Sequence, residues 1–205
     1  PVWIGESNQA SSGYGISVAT AGDVNGDGYS DVLVGAYAFD NGQTDEGRAL
    51  VYLGGASGPA STPAWTAESN QAGASFGISA APAGDVNGDG FSDLIVGAAA
   101  FDNGQTDEGR VFVYLGSAAG LAAAPAWTAE GDQIGAAFGY SVSTAGDVNG
   151  DGFSDVIIGA RDYDNGETDE GRAFVYLGSA SGLAMNPAWT AEGGQVGAGF
   201  GNSVA

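Results

Sequence analysis

A nine-residue pattern, Asp-x-Asn-x-Asp-Gly-x-x-Asp, occurs at 23–31, 85–93 and 147–155, each copy 62 residues after the one before. A chain of this kind is one supersecondary unit copied, so it must fold by stacking or radial arrangement of that unit rather than around one irregular core. Other landmarks keep the same phase. Trp3, Trp65, Trp127 and Trp189 each stand two residues after a proline. Aromatic-glycine pairs follow at Tyr14-Gly15, Phe76-Gly77, Phe138-Gly139 and Phe200-Gly201, and Gly-Ala pairs at Gly35-Ala36, Gly97-Ala98 and Gly159-Ala160. Counted from the tryptophans, the units run 3–64, 65–126 and 127–188, with a partial fourth at 189–205.

Every ordered stretch of the unit reads as strand. Val-Leu-Val at 32–34, with its copies Leu-Ile-Val at 94–96 and Val-Ile-Ile at 156–158, is short and apolar on both faces, the pattern of a strand covered on both sides. Asp-Asn-Gly then signals a hairpin into a second apolar run such as Val-Phe-Val-Tyr-Leu at 111–115. Alternating large and small residues at 15–19 fit a strand where neighbouring sheets approach closely. The Pro-x-Trp segments supply a fourth strand with proline at its start, where a missing N–H costs least. No stretch has helical periodicity. The expected fold is all-β, with four-stranded antiparallel units the size of a propeller blade, three complete and a fourth partial. The Trp strand at 1–6 and the segment near 199–205 read as unpaired strands, a route to self-association through strand addition.

The charge narrows the partners. The chain carries 25 acidic residues, four arginines, no lysine and no histidine, for a net charge of −21. Such a surface repels nucleic acid and anionic membranes and attracts cations. No apolar run is long enough to span a membrane and no signal-like segment is present, so membrane insertion is not expected. The chain begins at Pro1 in mid-repeat, which reads as a processed chain or a fragment. With no cysteine and no histidine, disulfides, thiolate nucleophiles and the usual acid–base machinery are missing, so a catalytic role is not expected.

Carboxylate and amide oxygens at alternate positions of a tight, Gly-containing turn suit a hard cation such as Ca²⁺. Asp, Asn and Gly are also ordinary turn residues, but identical placement in three copies favours metal. An EF-hand is not expected, since strands follow the loop and no Glu stands at its twelfth position. Millimolar Ca²⁺ is found mainly outside cells, which points to an extracellular or cell-surface setting.

The order aromatic-Gly, Gly-Asp-Val-Asn-Gly-Asp-Gly, Gly-Ala resembles the FG-GAP repeat of integrin α-subunit propellers and related bacterial proteins, and the resemblance covers essentially the whole chain. It implies a propeller, usually of seven blades, with Ca²⁺ in the hairpin between the first two strands of a blade. The resemblance also implies an extracellular, non-catalytic adhesion, recognition or scaffold role with a protein or glycan ligand. Carried over by position, the first site would use Asp23, Asn25, Asp27, Asp31 and the Tyr29 carbonyl. The second would use Asp85, Asn87, Asp89, Asp93 and the Phe91 carbonyl, and the third Asp147, Asn149, Asp151, Asp155 and the Phe153 carbonyl. Three Ca²⁺ are expected, one per complete repeat. Three and a third units do not close a seven-bladed ring. The alternatives are a lectin-type propeller and an accessory module of a larger secreted enzyme.

The remaining features have plainer readings. The acidic segment at 40–48, repeated at 102–110 and 164–172, reads as a solvated hairpin turn whose Arg pairs with its own Asp45 or Glu46, with a second cation site as the rival. The tryptophans read as packing between units rather than as sugar platforms. Arg161 and Tyr163 depart from their equivalents (Tyr37 and Ala99, Phe39 and Phe101) without defining a ligand.

Overall fold

The computed structural model describes residues 3–205, and the strand expected at 1–6 falls in part on Pro1 and Val2, which lie outside the described residues. Among the described residues there is no helix, and therefore none long and apolar enough to cross a membrane. Twelve strands form three antiparallel sheets of four in sequence order. The first holds β1 (Tyr14–Gly22), β2 (Asp31–Ala36), β3 (Arg48–Tyr52) and β4 (Trp65–Glu68). β5 (Phe76–Gly84), β6 (Asp93–Ala98), β7 (Arg110–Tyr114) and β8 (Trp127–Glu130) make the second. The third holds β9 (Phe138–Gly146), β10 (Asp155–Ala160), β11 (Arg172–Tyr176) and β12 (Trp189–Glu192). Each sheet is a meander, the blade of a propeller, and three blades form an unclosed part of one. The sheets share the period of the sequence but are offset from the Trp-based units by one strand, because each Trp strand pairs with the strand before it, as Val51 with Trp65.

The doubly apolar strands are buried on both faces as their composition requires. Leu94, Ile95 and Val96 have no exposed surface. One cluster joins Leu33, Val51 and Ala49 of the first blade to Phe76, Leu94 and Phe112 of the second. The next joins Ile95, Val113 and Trp127 to Phe138, Ile158 and Tyr176. The core therefore lies between blades rather than within them, and each blade is stable only against a neighbour.

The tryptophans are the outer rivets of these interfaces. Trp65 packs edge-on to Tyr114 (4.8 Å between ring centres) and Trp127 to Tyr176 (5.0 Å). Their indole N–H groups donate across the interface to the Ala122 and Ala184 carbonyls at 2.9 and 3.1 Å. Trp127 is buried and Trp65 half-buried, and a ring packed in this way with its polar edge already satisfied is packing, as expected.

The expected end strands do not form. Among the described residues, 3–13 contain no strand, although Trp3 repeats the rivet, packing on Tyr52 and donating to the Ala60 carbonyl. Phe200 makes a single bridge to Gly171, and 201–205 form no strand. A strand exists only where a partner takes up its amides and carbonyls, and apart from that bridge neither segment has a paired neighbour here. Nothing among the described residues supports self-association by strand addition.

Candidate functional site: three aspartate loops and an acidic rim

The loop at 23–31 joins β1 to β2, where the two strands close in register at Gly22 and Asp31. Gly28 has φ +87° with open space where a Cβ would stand, so glycine is needed there for backbone conformation alone. The Asp23 carboxylate organises the turn. Its Oδ1 accepts the amides of Gly26 and Asp27 at 2.7 and 3.0 Å, and its Oδ2 that of Gly28 at 2.8 Å. Asn25 Oδ1 accepts the Asp27 amide, and Asn25 Nδ2 donates to Asp27 Oδ2. Tyr29 contributes its amide to Asp27 Oδ1 at 2.9 Å.

The second and third loops repeat this network. Asp85, Asn87, Asp89 and Phe91 make the same bonds as Asp147, Asn149, Asp151 and Phe153. The amide of Gly28 above all, and of Gly152 in the third loop, holds the Asp23 and Asp147 carboxyls below the usual carboxylate range, against a smaller opposing effect of burial. These groups stay ionised at any ordinary pH.

The last aspartate of each loop has a different environment. Asp31, Asp93 and Asp155 are buried. Asp93 Oδ2 accepts the Val86 amide at 2.9 Å and Oδ1 the Gly116 amide at 2.9 Å, tying the loop to the turn after β7. Asp31 does the same with Val24 and Gly54, and Asp155 with Val148 and Gly178. The structure thus brings the first three side chains of each pattern together on the rim and places the fourth behind them as an anchor. Each anchoring oxygen accepts one amide and keeps a lone pair. The donors are all oxygen, the type a hard divalent cation takes, and apart from the buried fourth aspartate they lie at or near the surface.

Burial pushes the Asp93 carboxyl up from its ordinary 3.8 to about 6, outweighing the two amide bonds, with Asp89 and Asp85 adding repulsion. The folded state then holds the proton more tightly than the unfolded chain. The contribution of this group to stability is complete below about pH 4 and is lost as pH rises through 6, a change on the order of 2 to 3 kcal/mol. In chelator, the unfolding temperature of the wild-type chain should therefore rise as pH falls from 7 to 5. Asp93→Asn should gain about 1.3 kcal/mol less over that interval, the part of the change that falls between pH 7 and 5, and equal pH slopes for the two proteins would refute the assignment.

The acidic turns differ from expectation. Glu46, Glu108 and Glu170 are buried rather than solvated. Each uses Oε1 to accept two amides of its own hairpin, Glu108 those of Asn103 (2.6 Å) and Gln105 (3.4 Å). The arginines pair across the sheet instead of within the turn. Arg48 engages Glu68, Arg110 lies 3.3 Å from Glu130 and Arg172 lies 3.9 Å from Glu192. The register that sets Arg110 opposite Glu130 cannot be read from the turn itself. It also assembles a group that sequence reasoning missed: Glu108, Glu130 and Asp132, whose carboxylate oxygens lie within 4.8 Å of one another. Arg161 is spoken for, held by the Asp162 carboxylate with its guanidinium 4.3 Å above the Tyr140 ring.

The FG-GAP repeat family matches at 14–52, 76–114 and 138–176, the first three strands of each blade. Human integrin alpha-7 is 40% identical over 152 residues, covering 73% of this chain and 12% of the integrin. Integrin alpha-V of Gallus gallus is 36% identical over 185 residues (85% and 17%), and integrin alpha-PS2 of Drosophila melanogaster 34% over 188 (84% and 13%). The chain thus spans less than a fifth of the length of these curated relatives. Three matched repeats on three propeller blades, with the aspartate loop in the first hairpin of each, place the chain in the FG-GAP repeat family, as an integrin-like member.

Proposed function

We propose that this chain is a calcium-stabilised, extracellular, non-catalytic propeller module that presents its rim loops to a protein ligand in adhesion or recognition. The observation that carries the reading is the threefold recurrence of one hydrogen-bonded aspartate loop at the same hairpin of consecutive blades. Asp23, Asn25, Asp27, Asp31 and the Tyr29 carbonyl would hold the first Ca²⁺. Asp85, Asn87, Asp89, Asp93 and the Phe91 carbonyl would hold the second. The third would fall to Asp147, Asn149, Asp151, Asp155 and the Phe153 carbonyl. The ion supplies charge neutralisation, converting a turn crowded with carboxylates into a rigid corner between two strands. Similarity to integrin α-subunits supports the adhesion role and the cell-surface setting.

The test is a binding assay with the immobilised chain, against purified extracellular proteins and against a glycan array, in 1 mM Ca²⁺ and in chelator. Saturable binding to a protein that is lost in chelator is the expected result. Binding confined to glycans would replace the adhesion reading with a lectin.

A further inference from the structure

The aspartate loops do not stand alone, because each of the first two is held by the loop that follows it 62 residues on. Ser92 lies inside the second loop, next to Asp93. Its hydroxyl accepts the Asp23 amide at 3.2 Å, and its own amide donates to the Asp23 carbonyl at 3.0 Å. The first aspartate of one loop is thus clasped through its backbone by a residue of the next. Ser154 of the third loop clasps Asp85 in the same way, at 3.1 and 2.9 Å. The aromatic residue before each serine closes the contact. A Cβ at Gly26 would stand 2.7 Å from the Phe91 ring, and one at Gly88 2.6 Å from the Phe153 ring.

A second route runs through the turn after the third strand. The Gly116 amide donates to Asp93 Oδ1, and the amide of Ser117 beside it donates to the Val24 carbonyl at 3.1 Å. Gly178 and Ser179 link Asp155 to Val86 in the same manner. Two adjacent amides therefore join the anchoring aspartate of one loop to the backbone between the first two candidate ligands of the loop before it. We propose that Ser92 and Ser154 are positioning residues that couple the three sites, so that Ca²⁺ bound in one loop raises the affinity of the loop it adjoins. The proposal rests on the reading of these loops as Ca²⁺ sites. Residues 85–93, once fixed around an ion, hold Phe91 and Ser92 in place and with them the Asp23 backbone. The first loop then gives up less freedom on taking its own ion. The coupling is reciprocal, and because the contacts join adjacent loops it acts between neighbours. Electrostatics alone has the opposite sign, since a divalent ion in one loop lessens the negative field that draws the next.

Ca²⁺ titration of the isotope-labelled full chain, followed by NMR at the Gly28, Gly90 and Gly152 amides, reads the three loops separately, since each amide donates to the first aspartate of its own loop. Asp151→Asn empties the third loop, which the Gly152 amide verifies. It should weaken Ca²⁺ binding at Gly90 about fivefold or more, with a smaller shift at Gly28. Asp27→Asn is the mirror variant, and should weaken Gly90 likewise and Gly152 less. In a Ser154→Ala background the effect of Asp151→Asn on Gly90 should shrink, whereas a serine with a merely structural role would leave that effect intact. A Gly90 midpoint unchanged or strengthened by Asp151→Asn overturns the coupling and leaves the calcium reading standing. An undiminished effect in the Ser154→Ala background overturns the role of the serine. Glycine amides that ignore Ca²⁺ in the wild type remove the calcium reading and this proposal with it.

Discussion

Transfer of the chain from 1 mM Ca²⁺ to chelator is expected to lower its unfolding temperature by about 8 to 16 °C. The size follows from linkage. A site with Kd of about 10⁻⁴ M adds roughly 1.4 kcal/mol at 1 mM free ion, and three such sites about 4 kcal/mol. For a chain of this length each kcal/mol moves the midpoint by about 2 to 4 °C. The structure shows why the ion would act on stability. Asp23, Asp85 and Asp147 gather the amides of their own loops, and Asp31, Asp93 and Asp155 tie those loops to the turn after the third strand. Neutralising the front carboxylates therefore stiffens a corner that two segments share. Mg²⁺ should stabilise much less, since it demands a smaller octahedral shell and keeps its waters. Replacing Asp27, Asp89 and Asp151 together by Asn should erase the difference between Ca²⁺ and chelator. A wild-type midpoint indifferent to Ca²⁺ would reduce all three loops to ordinary turns.

Gly97→Ala should destabilise the chain by about 3 kcal/mol, a loss of roughly 6 to 12 °C. A Cβ at Gly97 would stand 2.0 Å from the Gly139 carbonyl oxygen and 2.5 Å from Ser79 Oγ. Neither neighbour is free to retreat, because that Ser79 hydroxyl donates to that same carbonyl at 2.7 Å and Gly139 is the second residue of β9, the first strand of the next blade. The same contact recurs between Gly35 and Gly77 and between Gly159 and Gly201. One methyl group would thus push two blades apart at their closest approach. Gly152→Ala separates this effect from backbone conformation. It has φ +93° and open space around it, so it should cost only about 1 kcal/mol. Thermal unfolding of both variants in Ca²⁺ decides the matter, and equal losses would mean that the close approach is not what selects glycine at position 97.

The parts of this protein legible in the sequence are those encoded within a few residues. The aspartate loops are of this kind, since Asp23, Asn25 and Asp27 bond to one another and to amides of the same turn. The strands are legible too, because an apolar run of the right length bounded by turn residues has few other folds open to it. What could not be read are contacts made across the sheet. Arg48 was expected to pair within its turn and instead meets Glu68 on the adjacent strand, 20 residues on. That displacement leaves Glu46 buried and, in the second blade, gathers Glu108, Glu130 and Asp132.

The limit of local information is sharpest where the sequence repeats and the environment does not. Phe76, Phe138 and Phe200 occupy one position of the unit, yet the first two are fully buried and the third is 40% exposed. Val24 and Val86 are buried while Val148 is 58% exposed, and Trp127 is buried while Trp189 is half-exposed. The repeat by itself determined the blade, its strands, its tight glycines and its aspartate turn, because those depend on neighbours in the chain. Only the tertiary structure decided which copy of each residue is core, because burial here is conferred by packing between blades rather than by neighbours in the chain.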